Sequence, residues 1–411
     1  MAATLSRKYA AFAARWKLPS LPLRLSGRLP EWEWARSRPV EQRVIPVDDR
    51  ILEGSGPPLS ATFLGHASFL LQVGEQRILT DPVLGDGSGW LDWMGKSRFT
   101  PPALGPAELP PLDIVLLSHA LYDHTDLPTL KGILQAQAQH DRPLKWVVPL
   151  GLKPLLVDWV GVPDTAIVEL DWWTATSLDA QPDPVPLPAE WAQYADRSGA
   201  PRSADAGSDH ASCQAEAERC QPTSSDLPPC IVAVPAQHDA ARTAWDRNDT
   251  LCVGYALVSP HGRLLFTGDT GYRAVERGVA PLSAEEDAAP VCPSFREVGD
   301  RLGPFDMGLL PIGAYSPRWF MSRVHTSPED ALEVHLDTRC RRSVGMHWGS
   351  LPLTDEPVGE PPLRLAAALE ARALDPSTFV ALDVGGTLTP AGPLSPDHLH
   401  QPRPPIVPPA H

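Results

Sequence analysis

Asp113-Ile114-Val115-Leu116-Leu117 followed by Ser118-His119-Ala120-Leu121-Tyr122-Asp123-His124 decides how this chain is read. The first five residues are an apolar run of the length and character of a buried strand. Two imidazoles and a carboxylate then crowd onto a short turn at its end. Held on such a turn, they can converge on one cation without a long conformational search. Asp126 comes next and caps a predicted helix.

The same pattern recurs along the chain. Apolar strands at 231–235, 251–258 and 264–267 lead to His238 in Pro235-Ala236-Gln237-His238 and to Asp269 in Phe266-Thr267-Gly268-Asp269. His347 follows in Gly345-Met346-His347-Trp348-Gly349. One histidine on an apolar stretch is usually a satisfied core residue. Six ligand-type side chains at successive strand ends point to a metal centre, and their nitrogen and oxygen donors suit zinc ahead of iron or manganese. Earlier, 61–73 and 77–81 read as two strands joined by a Gly-containing turn. Further strands are expected at 145–149 and 165–170, and alternation with helices favours α/β layering.

Composition bounds the rest. With 50 acidic and 35 basic side chains the formal net charge is −15, which opposes nucleic-acid binding through phosphate neutralisation. Six cysteines without a C-x-x-C pair read as reduced thiols of an intracellular protein. No apolar run reaches the ~20 residues of a spanning helix. The first 30 residues carry six Arg or Lys and no acid, the composition of a mitochondrial transit peptide, an interfacial basic helix or a disordered tail. The expected organisation is a tail over 1–50, one domain over 51–390 with a disordered low-complexity insertion at 177–229, and a Pro- and His-rich tail over 391–411. His398, His400 and His411 in that last tail could bind metal loosely or simply be solvated.

The turn at 118–124 resembles the H-x-H-x-D-H signature of the metallo-β-lactamase superfamily, with Leu121 where the second histidine belongs. The words Gly65-His66-Ala67-Ser68, Thr80-Asp81-Pro82-Val83, Pro235-Ala236-Gln237-His238, Gly268-Asp269-Thr270-Gly271-Tyr272, Leu310-Pro311-Ile312-Gly313-Ala314-Tyr315 and His347-Trp348-Gly349 occur in order. Together they resemble the N-acylphosphatidylethanolamine-hydrolysing phospholipase D family, over roughly residues 55–385 apart from the insertion.

That resemblance implies a four-layer αββα sandwich with two metals at one rim. His119, His238 and Asp269 would hold the first and Asp123, His124, Asp269 and His347 the second, with one or two Zn2+ per chain. A metal-bound hydroxide would release N-acylethanolamine and phosphatidic acid, with Asp123 orienting the nucleophile and His325 near the substrate phosphate. The implied partners are an N-acyl phospholipid and a membrane surface touched peripherally, with a cytoplasmic, membrane-associated or mitochondrial address. His66 and Asp81 are expected behind the ligands. Trp319, Phe320 and Trp348 could wall an acyl channel or be core, and Arg318 could meet phosphate or form an ion pair. Asp239 stands where the family has an aromatic and Val324 where it has a polar residue. Because Leu121 removes an imidazole, two alternatives stay open: a silent lipid- or partner-binding member, and a hydrolase of another ester or phosphodiester.

Overall fold

The computed structural model describes residues 42–85, 98–140, 142–178, 185–186, 228–243, 245–280 and 282–400. The basic N-terminal segment to residue 41 and most of the 177–229 insertion lie outside the described residues. Sixteen strands are described. They are β1 (Leu59–Gly65), β2 (Ser68–Val73), β3 (Gln76–Thr80), β4 (Ile114–Leu116), β5 (Lys145–Pro149), β6 (Ile167–Leu170), β7 (Thr174–Ser177) and β8 (Val185–Pro186), then β9 (Cys230–Pro235), β10 (Val253–Ser259), β11 (Gly262–Phe266), β12 (Phe305–Pro311), β13 (Cys340–Met346), β14 (Phe379–Ala381), β15 (Thr387–Thr389) and β16 (Gly392–Pro393). They form two eight-stranded sheets, ordered β16-β15-β1-β2-β3-β4-β5-β6 and β14-β13-β12-β11-β10-β9-β7-β8.

Each sheet opens with an antiparallel meander and continues parallel. β1 pairs antiparallel with β2, β2 with β3, and β3 runs parallel to β4. In the other sheet β9, β10 and β11 are antiparallel neighbours, and β11, β12 and β13 are parallel. Hence β1, β3 and β4 point one way, as do β9, β11 and β13. Every ligand-type residue singled out above follows the C-terminal end of one of these strands, the edge where open α/β sheets bind ligands.

The sheets face each other across an apolar core that includes Phe63, Phe69, Ile114, Leu116, Tyr255, Phe266, Met307 and Val344. All seven residues of β1 and of β10 are buried, because a strand covered on both faces has no solvent side to make polar. The four longest described helices cover the outer faces. They are α1 (Leu127–Gln137), α2 (Ser294–Leu302), α3 (Pro328–Asp337) and α4 (Glu360–Ala371). Leu130 and Ile133 of α1 pack with Trp146 and Val148 of β5. Val298 and Leu302 of α2 pack with Ala256 and Val258 of β10. Leu332 of α3 and Leu365 of α4 pack with Leu310 and Phe379. This is the αββα sandwich. Asp126 and Ser327 cap α1 and α3, accepting from the backbone N–H groups of Thr129 and Asp330.

Two expectations change. The predicted strand over 61–73 is broken at Gly65 and His66, both with positive φ (112° and 58°). The chain reverses there, so two strands become three and His66 lands on the ligand edge. The folded unit also runs past the expected 51–390 bounds. Ile45 donates its backbone N–H to the Val384 carbonyl at 2.8 Å. At the other end β16 pairs with β15, and buried His398 accepts from the Thr387 N–H at 3.0 Å. Residues 391–400 are therefore packed rather than a solvated tail, and His400 Nδ1 pairs with Asp383 at 2.9 Å.

His335 on α3 is a core histidine. Its Nδ1 lies 2.8 Å from Ser343 Oγ, its ring stacks on Phe379, and burial pushes its pKa down to about 4. The unfolded chain, with a histidine pKa of about 6.5, takes up that proton first as pH falls. The stabilisation is thus complete above pH ~6.5 and lost towards pH ~4, a span on the order of 3 kcal/mol. Urea unfolding of metal-free His335→Gln should show a correspondingly smaller loss of stability across that window than metal-free wild type. Parallel pH profiles would reject the assignment.

Candidate metal centre

β4 delivers the motif turn. The Tyr255 hydroxyl crosses from the opposite sheet and donates to the Leu117 carbonyl at 2.8 Å. The Val253 N–H donates to the Ser118 carbonyl at 3.0 Å. Gly268 (φ +59°) lets the end of β11 approach this strand, since a Cβ there would lie 2.6 Å from Ser118 Cβ. Asp269 is thereby brought beside the motif. The turn is clamped by Arg242, whose Nη1 donates to the carbonyls of Ala120 (2.8 Å) and Thr125 (2.9 Å) while its guanidinium covers the Tyr122 ring. Leu121 sits half-buried on it, its carbonyl accepting from the N–H groups of His124 and Thr125. Nothing in the sequence announced Arg242; its partners are more than a hundred residues away.

The six expected ligands, His119, Asp123, His124, His238, Asp269 and His347, are all buried and close together. Asp269 Oδ2 lies 3.0 Å from His124 Nε2, 3.1 Å from His347 Nε2 and 3.8 Å from His238 Nε2. His119 joins His238 and Asp269 in one compact group of donor atoms. His325 is in the same space, its Nδ1 3.9 Å from Asp269 and its Nε2 3.4 Å from His238 Nε2. Its backbone N–H is held by the Met321 carbonyl, just ahead of α3.

Hydrogen bonds behind the rings set their tautomers. Asp81 Oδ2 accepts from His124 Nδ1 at 2.7 Å and from Ser118 Oγ at 2.5 Å. Since the single hydroxyl proton of Ser118 goes to Asp81, His119 Nδ1–H must donate to Ser118 Oγ, at 2.8 Å. His238 Nδ1–H donates to the Asp239 carbonyl at 2.7 Å. In each ring Nε2 is the atom left facing the cluster, the arrangement that oriented metal-binding histidines adopt. Nε2 of His66, His119, His124 and His347, Nδ1 of His325 and both Asp269 oxygens are buried without a hydrogen-bond partner. So many unsatisfied polar atoms aimed at one space would be costly, and a cation satisfies them. The donor set fits a divalent metal.

Protonation agrees with that fit. Burial, reinforced by neighbouring imidazoles, drives His119 well below its usual pKa, and burial likewise drives His325 well below its own. Burial alone would raise Asp123 and Asp269, but His124, His347 and other imidazoles outweigh it and hold both carboxyls well below their usual range. Neutral imidazole and ionised carboxylate are the ligating forms. Burial opposes protonation of His124 and His347 too, yet Asp269 and Asp123 prevail, raising His124 well above normal and His347 to about 9. Without a cation, protons on these two rings balance the carboxylates.

Three surrounding expectations are decided by the tertiary structure. Arg318 is an ion-pair residue: Nε meets Glu286 Oε1 at 2.7 Å and Nη2 meets Asp330 Oδ2 at 2.5 Å, while Arg273 takes the other Asp330 oxygen. Asp239 is held by Arg247 and by Asn248 Nδ2, the latter at 3.1 Å, so it gives the centre a carbonyl rather than a carboxylate. Trp348 is core, whereas Trp319 and Phe320 are 40% and 49% exposed.

A family model described as a β-lactamase superfamily domain matches residues 76–204 and 208–348. The N-acyl-phosphatidylethanolamine-hydrolyzing phospholipase D 1 of Caenorhabditis elegans is 30% identical, with 85% of this chain and 84% of that protein aligned. The chain belongs to the N-acylphosphatidylethanolamine-hydrolysing phospholipase D family. A second member, the Saccharomyces cerevisiae enzyme named mitochondrial, is 26% identical over 81% of this chain and 59% of its own length. Among solved structures, an isothiocyanate hydrolase from Delia radicum gut bacteria superposes with a TM-score of 0.52, covering 80% of this chain and 99% of the other at 13% identity. That likeness concerns the fold alone. Membership of the family and a hydrolase fold built for metal are therefore established together.

Proposed function

We propose that the chain is a zinc-dependent phosphodiesterase that cleaves N-acylphosphatidylethanolamine to N-acylethanolamine and phosphatidic acid. The observation that carries this is the convergence of the buried, unpartnered Nε2 atoms of His119, His124 and His347 and the oxygens of Asp269, with His238 and Asp123 beside them. In this reading His119, His238 and Asp269 hold one metal, and Asp123, His124, Asp269 and His347 the other. Zinc bound there would acidify a water and draw charge from a phosphoryl oxygen.

The chain's own groups do the rest. Asp123 orients the attacking water. His325, held neutral by burial, donates an N–H to a phosphate oxygen. As the water oxygen bonds to phosphorus the P–O bond to the ethanolamine side breaks, and the water's proton passes by way of Asp123 to the leaving N-acylethanolamine oxygen. Asp81 and Ser118 keep the imidazoles turned inward. A small cleft of mixed polarity beside His347 is lined by Phe99, Leu353 and Val358 together with Thr354 and Glu356. Exposed Trp319 and Phe320 support peripheral contact with a bilayer, where amphipathic aromatics are favoured. No described helix is long and apolar enough to cross a membrane. The acid-free basic N-terminus and the naming of the yeast relative support a mitochondrial address.

The test is zinc-loaded full-length protein assayed against N-acylphosphatidylethanolamine, unacylated phospholipids and a simple aryl phosphodiester. Release of N-acylethanolamine and phosphatidic acid as the preferred reaction is expected. Preference for another ester would replace the substrate, and no turnover by the loaded protein would leave a silent binding member. In the same assay Leu121→His should raise kcat/KM by at least ~10-fold, since it returns an imidazole where loss of even an orienting partner costs 10–100-fold. An unchanged rate would show that Leu121 costs nothing.

A further inference from the structure

The sequence leads to His66 standing behind the ligands; its geometry says otherwise. His66 Nε2 is buried and has no hydrogen-bond partner. It faces Asp123 Oδ2 at 3.4 Å, and the same oxygen lies 3.5 Å from His347 Nε2 and 3.7 Å from His124 Nε2. All four donor atoms are within 4.8 Å of one another. A tetrahedron around zinc with bonds of about 2.0–2.1 Å has edges of roughly 3.3–3.4 Å. The carboxylate-to-imidazole separations are already near those edges.

The backbone enforces this position. His66 and His347 both have left-handed φ, 58° and 62°, which costs a non-glycine residue energy and tends to persist at functional sites. The His347 N–H donates to the His66 carbonyl at 2.9 Å, and the His66 N–H donates to Ser350 Oγ at 2.8 Å. The two rings consequently lie side by side, their centroids 4.2 Å apart. A histidine that only supported other ligands would spend its Nε2 on a hydrogen bond, as Asp81 spends its oxygens.

We infer that His66 is itself a metal ligand, joining Asp123, His124 and His347 at the half of the centre that shares Asp269. Resting on the metal-dependent reading above, this divides the centre into unequal halves. With His66 that half gathers five protein donors, because Asp269 Oδ2 also lies 3.0 Å from His124 Nε2 and 3.1 Å from His347 Nε2. His119, His238 and Asp269 then form a three-ligand site with a free position, the pattern of catalytic zinc. Leu121 falls on the half whose chemistry requires an open position.

The experiment is zinc titration of the metal-free full chain against a chromophoric chelator, for wild type and His66→Asn. Asparagine tolerates left-handed φ and is too short to reach the metal. The variant should bind one zinc at least ~10–100-fold more weakly and the other unchanged, with the metal-free proteins unfolding alike. Two wild-type affinities in the variant would overturn the inference and leave the proposed function standing. A wild-type chain that binds no zinc would overturn both. Should the variant not fold, anomalous density from zinc-loaded wild-type crystals decides. A peak about 2.0–2.1 Å from His66 Nε2 is expected, and no peak within coordinating distance of that atom rejects the ligand.

Discussion

Asp269→Asn should reduce kcat/KM by about 10³-fold or more and lower the zinc held per chain. Loss of an orienting partner alone typically costs 10–100-fold, and this carboxylate stands in direct contact with the donor rings. One of its oxygens faces the imidazoles of His124, His347, His238 and His325 within 3.0–3.9 Å. No other described anion meets rings from both the β4 and β13 ends and the His238 segment at once. Asparagine keeps the volume, so the apolar core under β11 is undisturbed and the fold survives. What disappears is the negative charge that holds His124 and His347 high in pKa and that would balance a cation. Steady-state kinetics and metal analysis on the same preparation check it. A variant keeping more than a tenth of the rate with full metal would remove Asp269 from the centre.

Metal removal is the second large effect. Dialysis against a strong chelator should abolish turnover and lower the thermal midpoint, with zinc restoring both. A ligand present at a thousand times its Kd stabilises the folded state by about 4 kcal/mol. At roughly 2–4 °C per kcal/mol for a domain of 150–250 residues, and less for a longer chain, a drop of about 5–15 °C is expected. The chain should stay folded, because the inter-sheet core of Phe63, Phe69, Tyr255 and Phe266 contains no ligand and is fully buried. An unchanged midpoint together with retained turnover would mean that the donors bind no functional metal.

Much of this was legible in the chain itself. Apolar runs ending in histidine or aspartate marked β4, β9 and β11, because a doubly covered strand must be apolar and its end is the first place a polar ligand can stand, whereas His347 was marked by its own short motif after the mixed strand β13. Motif order then carried the family, and with it the sandwich and the six candidate ligands. The cap Asp126 was readable because capping is local, needing only residues within one helical turn.

What the sequence left open depends on residues far apart meeting. Arg318 had equal claims as a phosphate contact and as a structural cation; only the arrival of Glu286 and Asp330 settled it. Asp239 was neutralised as a ligand by Arg247 and Asn248, eight and nine residues on, through a loop whose path no periodicity encodes. His66 looked like a supporting residue until a left-handed turn split one expected strand into two and aimed its ring at Asp123. The sequence by itself determined which side chains are available and on which strand ends they stand, since burial and hydrogen-bonding periodicity are written locally. The tertiary structure alone decided which of them share a cation-sized space, since that rests on backbone reversals and pairings between segments hundreds of residues apart.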